Sequence, residues 1–153
     1  MPAVRDTLVA GTRKFRPEDI RKVVEIGNSS LTEYYTDTLL LDLYEAWPNS
    51  FIVYTVNDRI VGFIVGSKFS RTEARILLLA VDANFRRKGI GIALMNNFVE
   101  VCNRENLLSV RLEVRTDNDQ AIGFYKAFGF SIISVIRAYY SDASDAYLMW
   151  KLL

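Results

Sequence analysis

Apolar residues recur along this chain with two different spacings. In residues 109–115 (SVRLEVR), Val110, Leu112 and Val114 alternate with Arg111, Glu113 and Arg115, the period of a strand with one wet face. In residues 89–105, Ile90, Leu94, Phe98, Val101 and Cys102 recur at helical spacing, which predicts an amphipathic helix. The run RILLLAV (75–81) suits a central strand buried on both faces. SFIVYTV and RIVGFIVGS read as two strands, with Asn57-Asp58 between them as a hairpin turn. A first strand is expected over 7–14 and a helix from Pro17, with Glu18 and Asp19 in its first turn. A second helical stretch covers about 34–46 and stops at Pro48. NDQAIGFYKAF forms a short helix capped by Asn118 or Asp117 and ended by Gly129. Two last strands, about 130–138 and 146–152, flank the loop YYSDASD. The expected fold is mixed α/β: one sheet of about seven strands, with about four helices packed on it.

Composition narrows the chemistry. At 153 residues, half of them apolar, the chain is expected to form one globular domain over 1–153, without repeat or linker. A formal net charge of +1 gives no support for general nucleic-acid binding. The single cysteine, Cys102, excludes an internal disulfide and a multi-cysteine metal site, and its place on the apolar stripe makes it a core residue. There is no histidine, so histidine triads and histidine-ligated metals are excluded, and no metal is expected. No stretch reaches the roughly 18 apolar residues of a membrane span, and the N-terminus has no signal-peptide core. The expectation is a cytoplasmic protein with no membrane partner; its oligomeric state is left open.

One stretch asks for more than a fold. In AVDANFRRKGIGIALMNNF (80–98), Arg86, Arg87 and Lys88 precede Gly89 and Gly91 at the start of the long helix. Helix N-termini present unpaired N–H groups and attract phosphate, and glycine lets a phosphate approach the backbone. A Walker loop is excluded, because Ile92 and Ala93 follow Gly91. A dinucleotide fingerprint is disfavoured by Leu94 and by the distance of the glycines from Val81. A phosphate site and a solvated helix cap both remain open on spacing alone.

The segment Arg86-Arg87-Lys88-Gly89-Ile90-Gly91 resembles the R/Q-x-x-G-x-G/A motif of the GNAT superfamily of N-acetyltransferases, in the same place between a buried strand and a long helix. Downstream, LEVRTDNDQAIGFYKAFGF (112–130) is similar to that family's strand, Asn, helix, Tyr and Gly-Phe segment. Within the superfamily the resemblance is to protein N-terminal acetyltransferases, the RimI type and the NatA catalytic subunits with their archaeal relatives. SLTEYY (30–35) resembles a Leu-Pro-Glu-Asn-Tyr stretch, with Thr32 in place of the proline. YYSDASDAYLM (139–149) resembles Tyr-Tyr-Ala-Asp-Gly-Glu-Asp-Ala-Tyr, with Ala143 and Ser144 altering the loop.

The resemblance implies a single GNAT-like domain with a mostly antiparallel sheet, acetyl-CoA as donor and protein N-termini as acceptors. Arg86 and the backbone of Arg87, Lys88, Gly89, Ile90, Gly91 and Ile92 would hold the pyrophosphate, a Cβ at either glycine obstructing it. The backbone of Leu79, Ala80 and Val81 would run beside the pantetheine arm, and Asn118 would hydrogen-bond it, if its side chain is not spent as a cap. Transfer would be direct, with Tyr125 as acid near the sulfur unless it is a plain core tyrosine. Glu113 or Glu33 would be the base, and for Glu113 the competing reading is an ion pair with Arg111 or Arg115. Leu31, Glu33, Tyr34, Tyr139 and Tyr140 would line the peptide slot. Two alternatives stand beside this: acetylation of lysine side chains or small-molecule amines, and a non-catalytic acyl-CoA-binding sensor or subunit.

Overall fold

The computed structural model describes residues 8–31 and 33–153; Thr32 and the start of the expected first strand lie outside the described residues. In chain order the elements are β1 (Ala10–Lys14), α1 (Ile20–Ser30, led in by a 3-10 turn at Pro17–Asp19), α2 (Asp37–Ala46), β2 (Ile52–Val56), β3 (Arg59–Lys68), β4 (Glu73–Val81), α3 (Ile90–Arg104), β5 (Ser109–Arg115), α4 (Asp119–Ala127), β6 (Ser131–Ile136) and β7 (Ala146–Leu152). The strands form one sheet in the order β1-β2-β3-β4-β5-β7-β6. Every neighbouring pair is antiparallel except β4 and β5.

Local chemistry explains the boundaries. Asn57 and Asp58 both adopt positive φ (49° and 66°), the geometry of the tight turn that joins twisted strands. Helix α2 starts at Asp37, three residues later than its pattern suggests. The side chain of Asn28 claims the backbone of Tyr35 on both sides, accepting from its N–H at 2.7 Å and donating to its C=O at 3.0 Å. That clamp holds 34–36 out of the helix, and Thr36 then caps α2 by accepting from the Leu39 N–H at 3.2 Å. Asn118 accepts from the Ala121 N–H at 3.1 Å and so is the cap of α4.

Two cores lie on the two faces of the sheet. One packs α3 and α4 around Leu94, Met95, Phe98, Leu112 and Met149; the other packs α1 and α2 around Phe15, Phe51 and Phe63. Strand β4 supplies both, but not by simple alternation. Val65 pairs with Leu78 and Gly66 with Ile76, which leaves Leu77 as an extra residue in a bulge. Ala74 and Ile76 therefore belong to the α3 core, whereas Leu78 and Ala80 belong to the α1 core.

The same point on β4 is where it leaves β5. Their parallel pairing runs only from Glu73–Ser109 to Ile76–Leu112. Beyond it β4 continues to Val81 paired with β3 alone, and β5 continues to Arg115 paired with β7 alone. A wedge opens between them.

Gly66 sits next to the bulge because nothing larger fits. A Cβ there would lie 2.6 Å from the Phe98 ring and 2.8 Å from the Arg75 carbonyl oxygen. Gly66→Ala should lower the denaturant midpoint, at a cost of roughly 1–3 kcal/mol. Gly123, inside α4 with nothing within 4 Å of its Cβ position, should behave in the opposite way. Gly123→Ala should raise stability by roughly 0.5–1 kcal/mol in the same unfolding measurement.

Candidate active site

The wedge between β4 and β5 is a cavity of about 780 Å³. One wall is β4 at Leu77, Leu78 and Leu79, the other is β5 at Glu113, Val114 and Arg115. Helix α4 closes it with Asn118, Ala121 and Tyr125. The loop after α1 brings Leu31, Glu33 and Tyr34 to its mouth, and the β6–β7 loop brings Tyr139 and Tyr140 from the other side. Residues from five structural elements thus meet in one space.

The two glutamates are held differently. Glu113 is nearly buried, its side chain 9% exposed, and its Oε2 accepts from Arg75 Nε at 3.0 Å. Among the described residues Oε1 has no such partner. The expected ion pair with Arg111 or Arg115 is replaced by this one. Residues two apart on a strand project side by side, not toward one another, so each arginine turns elsewhere. Arg111 meets Glu73 at 3.6 Å, and Arg115 meets Asp142 at 3.0 Å. Glu33 is a bridge between loops: its Oε1 accepts from the Ser141 N–H at 3.1 Å, and both oxygens lie 2.9 Å from Ser141 Oγ. Arg115 reinforces the bridge at 3.7 Å from Glu33 and lies over the Tyr140 ring at 4.3 Å. Bonds from Ser144 and then Arg115 pull the exposed Asp142 carboxyl down to about 2, so it stays ionised at the rim.

Tyr125 and Tyr140 stay protonated at neutral pH. Burial pushes the Tyr125 hydroxyl well above the ordinary phenol range, with Tyr140 adding to it. Burial, then Tyr139, pushes Tyr140 up to about 12. Tyr125 is fixed by edge-to-face packing on Phe124 and Phe130, with centroids 5.4 and 5.8 Å away. The ring is thus a core residue, while the residue still lines the cavity. A protonated hydroxyl held in a cavity can donate a hydrogen bond or a proton. Asn118 also does two things. Its Oδ1 is committed to the cap, and its amide group remains a donor toward the cavity it lines.

The basic–glycine turn lies just past the end of β4, outside the cavity walls. Arg86, Arg87, Lys88 and Ile92 are exposed and Ile90 is buried in the α3 core. Arg86 Nε donates to the Val81 carbonyl at 3.3 Å, and Ser30 Oγ reaches the same oxygen at 3.4 Å. Ala80 is buried on the α1 side of the sheet. Arg87 and Gly89 have positive φ, 63° and 78°, which turns the chain so that α3 starts with its first N–H groups free of helical partners. The two glycines differ in their surroundings within the protein. A Cβ on Gly89 meets nothing within 4 Å, whereas a Cβ on Gly91 would sit 3.5 Å from the Phe124 ring. Gly91 faces α4.

Sequence patterning missed Arg75, the partner of Glu113, because it opens an apolar run and reads as the run's edge. It also missed Ser141, whose only signal was its place in the tyrosine loop.

The chain belongs to the acetyltransferase (GNAT) family, whose model matches residues 20–130. It is an N-acetyltransferase by family. An N-alpha-acetyltransferase of Sulfurisphaera tokodaii is 34% identical over 152 residues, covering 90% of this chain and 89% of that protein. The crystal structure of Ard1 from Thermoplasma volcanium is 60% identical and superposes with a TM-score of 0.92, covering 94% of this chain and 97% of that one. Arabidopsis thaliana Naa50, solved with the bisubstrate analogue CoA-Ac-MVNAL, is 28% identical with a TM-score of 0.83, covering 93% and 97%. Among the described residues no helix is long and apolar enough to cross a membrane, and no group of three or more acidic or cysteine side chains is arranged to hold a metal ion.

Cys102 takes no part in the site. It is fully buried in the α3 core, as its place on the apolar stripe predicts, and burial pushes its thiol up to about 12. The native protein should therefore resist a thiol reagent at pH 8 and react only as fast as it unfolds, with labelling complete in denaturant.

Proposed function

We propose that this protein transfers acetyl from acetyl-CoA to the free N-terminal amine of proteins, by direct attack and without an acyl-enzyme. The observation that carries the reading is the single wedge-shaped cavity. It unites an unpaired strand edge, a protonated tyrosine, a carboxylate bonded to Arg75 through Oε2 and two tyrosine-bearing loops. The names of the relatives support it, and so does the CoA–peptide analogue held by the Arabidopsis structure.

Each part has a chemical task. The backbone of β4 beyond Leu77 has no strand partner toward β5, so its polar groups on that side, apart from the Val81 carbonyl that Arg86 and Ser30 meet, are available to an amide-bearing arm such as pantetheine. The Asn118 amide donates to that arm. The first turn of α3, with Arg86 to Lys88 beside it, receives the pyrophosphate. A buried thiol and the lack of histidine leave no acyl carrier of the usual kind, which favours direct transfer.

In the transfer step the neutral amine attacks the thioester carbonyl, an N–C bond forms and the C–S bond breaks. Glu113 takes the amine proton through a water on Oε1, and Tyr125 gives its proton to the departing thiolate. Of the two carboxylates Glu113 is the base, because the Glu33 oxygens are occupied by Ser141. Glu33 acts as the latch between the loops. An α-amine, with a pKa near 8, costs roughly 3 kcal/mol less to neutralise at pH 7 than a lysine side chain near 10.4. Tyrosines on both loops crowd an internal lysine more than a chain end. No metal is required by this scheme, and the cytoplasm, where new N-termini emerge, is its expected place of action.

A panel of short peptides with free and blocked N-termini, each containing one lysine, tests the reading. Peptides beginning with Ser or Ala should be acetylated rapidly, and their N-terminally blocked forms hardly at all. Comparable rates on blocked peptides would replace it with lysine acetylation. On the best peptide, Tyr125→Phe should lower kcat by on the order of 100-fold with acetyl-CoA affinity kept. Glu113→Gln should lower kcat more than Glu33→Gln, which should mainly raise the peptide KM.

A further inference from the structure

Arg75 and Arg111 stand directly opposite each other across the parallel β4–β5 seam, on one face of the sheet. Like charges in that relation destabilise a strand pair. The structure resolves this by a stagger. Arg111 reaches back to Glu73 at 3.6 Å, and Arg75 reaches forward to Glu113 at 3.0 Å. Glu73 is further held by Ser109 Oγ at 2.8 Å and Trp150 Nε1 at 2.7 Å. The seam thus carries an acid, two bases and an acid in order, and the last acid stands just past the final paired residues, Ile76 and Leu112, where the wedge opens.

Arg75 also reaches the opposite wall. While Nε binds Glu113, Nη2 lies 2.6 Å from the Tyr139 hydroxyl in the β6–β7 loop. One planar group therefore spans the vertex of the wedge, with the candidate base on one edge and a wall of the peptide mouth on another. A lysine ammonium, a point charge on a flexible stem, cannot reproduce that two-sided fork. Without the guanidinium, a nearly buried carboxylate loses its ionic partner and must find another orientation.

We propose that Arg75 is a positioning residue of the transfer reaction: it fixes the Glu113 carboxylate with Oε1 free to take the amine proton, and it anchors Tyr139 at the peptide mouth. This rests on the reading of Glu113 as the base. It makes the sheet's charge pattern part of the catalytic apparatus, not only a solution to repulsion.

A double-mutant cycle tests it, run on whichever amine of the panel the wild type acetylates fastest, so that the class of that amine and the role of Arg75 are judged separately. Arg75→Gln should lower kcat at least tenfold and leave the acetyl-CoA KM within twofold, and the peptide KM should rise as it does in Tyr139→Phe. Because Arg75 acts through Glu113, Arg75→Gln combined with Glu113→Gln should turn over within twofold of Glu113→Gln alone. Losses that multiply, or an Arg75→Gln enzyme with unchanged kcat, overturn the proposal. If Arg75→Gln does not fold, Arg75→Lys keeps the charge and enters the same cycle: a kcat loss absent from the Glu113→Gln background supports the role, and a multiplying loss or an unchanged kcat overturns it.

Discussion

Strands β4 and β5 share only four rungs of parallel pairing before they part, and the functional architecture hangs on that short seam. Parallel neighbours are joined by a crossover, here α3, so the two strand ends that diverge lie at the same edge as the N-termini of the helices that follow each strand. The start of α3 follows β4 and the start of α4 follows β5. A gap opened there is bordered by free N–H groups on one side and by the Asn118 cap on the other. Antiparallel neighbours joined by hairpins would have offered neither.

The bulge at Leu77 and the charge stagger protect this gap. The extra residue at 77 moves Leu78 and Ala80 into the α1 core, so β4 stays anchored to β3 and its helices after losing β5. On the other side, Arg75 and Arg111 are prevented from repelling the strands apart by partners one step along. The mouth is drawn together by a second set of polar contacts: Glu33 on Ser141 joins two loops 108 residues apart in sequence, and Arg115 at the end of β5 holds Asp142 in the second of them. Neighbouring tyrosines of one loop are thereby tied by two different arginines, Tyr139 by Arg75 and Tyr140 by Arg115.

Much of this was legible in the sequence. The period-two pattern of 109–115 placed Glu113 on the polar face of a strand, whereas its association with Tyr125 on the helix after Asn118 came from the family resemblance. The basic–glycine turn was placed at the start of α3. Other features depend on relations that periodicity does not encode. The run Leu77-Leu78-Leu79 is apolar at every position, so it cannot show where a bulge changes the phase. Tyr34 and Tyr35 have the composition of a helix start, but the side chain of Asn28, near the end of α1, takes the Tyr35 backbone first. The partner of Glu113 is set by the β4–β5 register, which is why the neighbours in sequence, Arg111 and Arg115, were plausible and the structure uses Arg75.

If the diverging strands form the acetyl-CoA slot, with the phosphates at the start of α3, the cosubstrate must cover backbone amides that are otherwise open. Amide hydrogen exchange with and without acetyl-CoA tests this most directly, because it reads those backbone groups themselves. New protection is expected on the amides from Arg87 to Ile92 and on Leu79 and Val81 of β4, whose N–H groups face away from β3, with the outer strands β1 and β6 unchanged. Binding of acetyl-CoA that leaves the start of α3 and the end of β4 unprotected would contradict it.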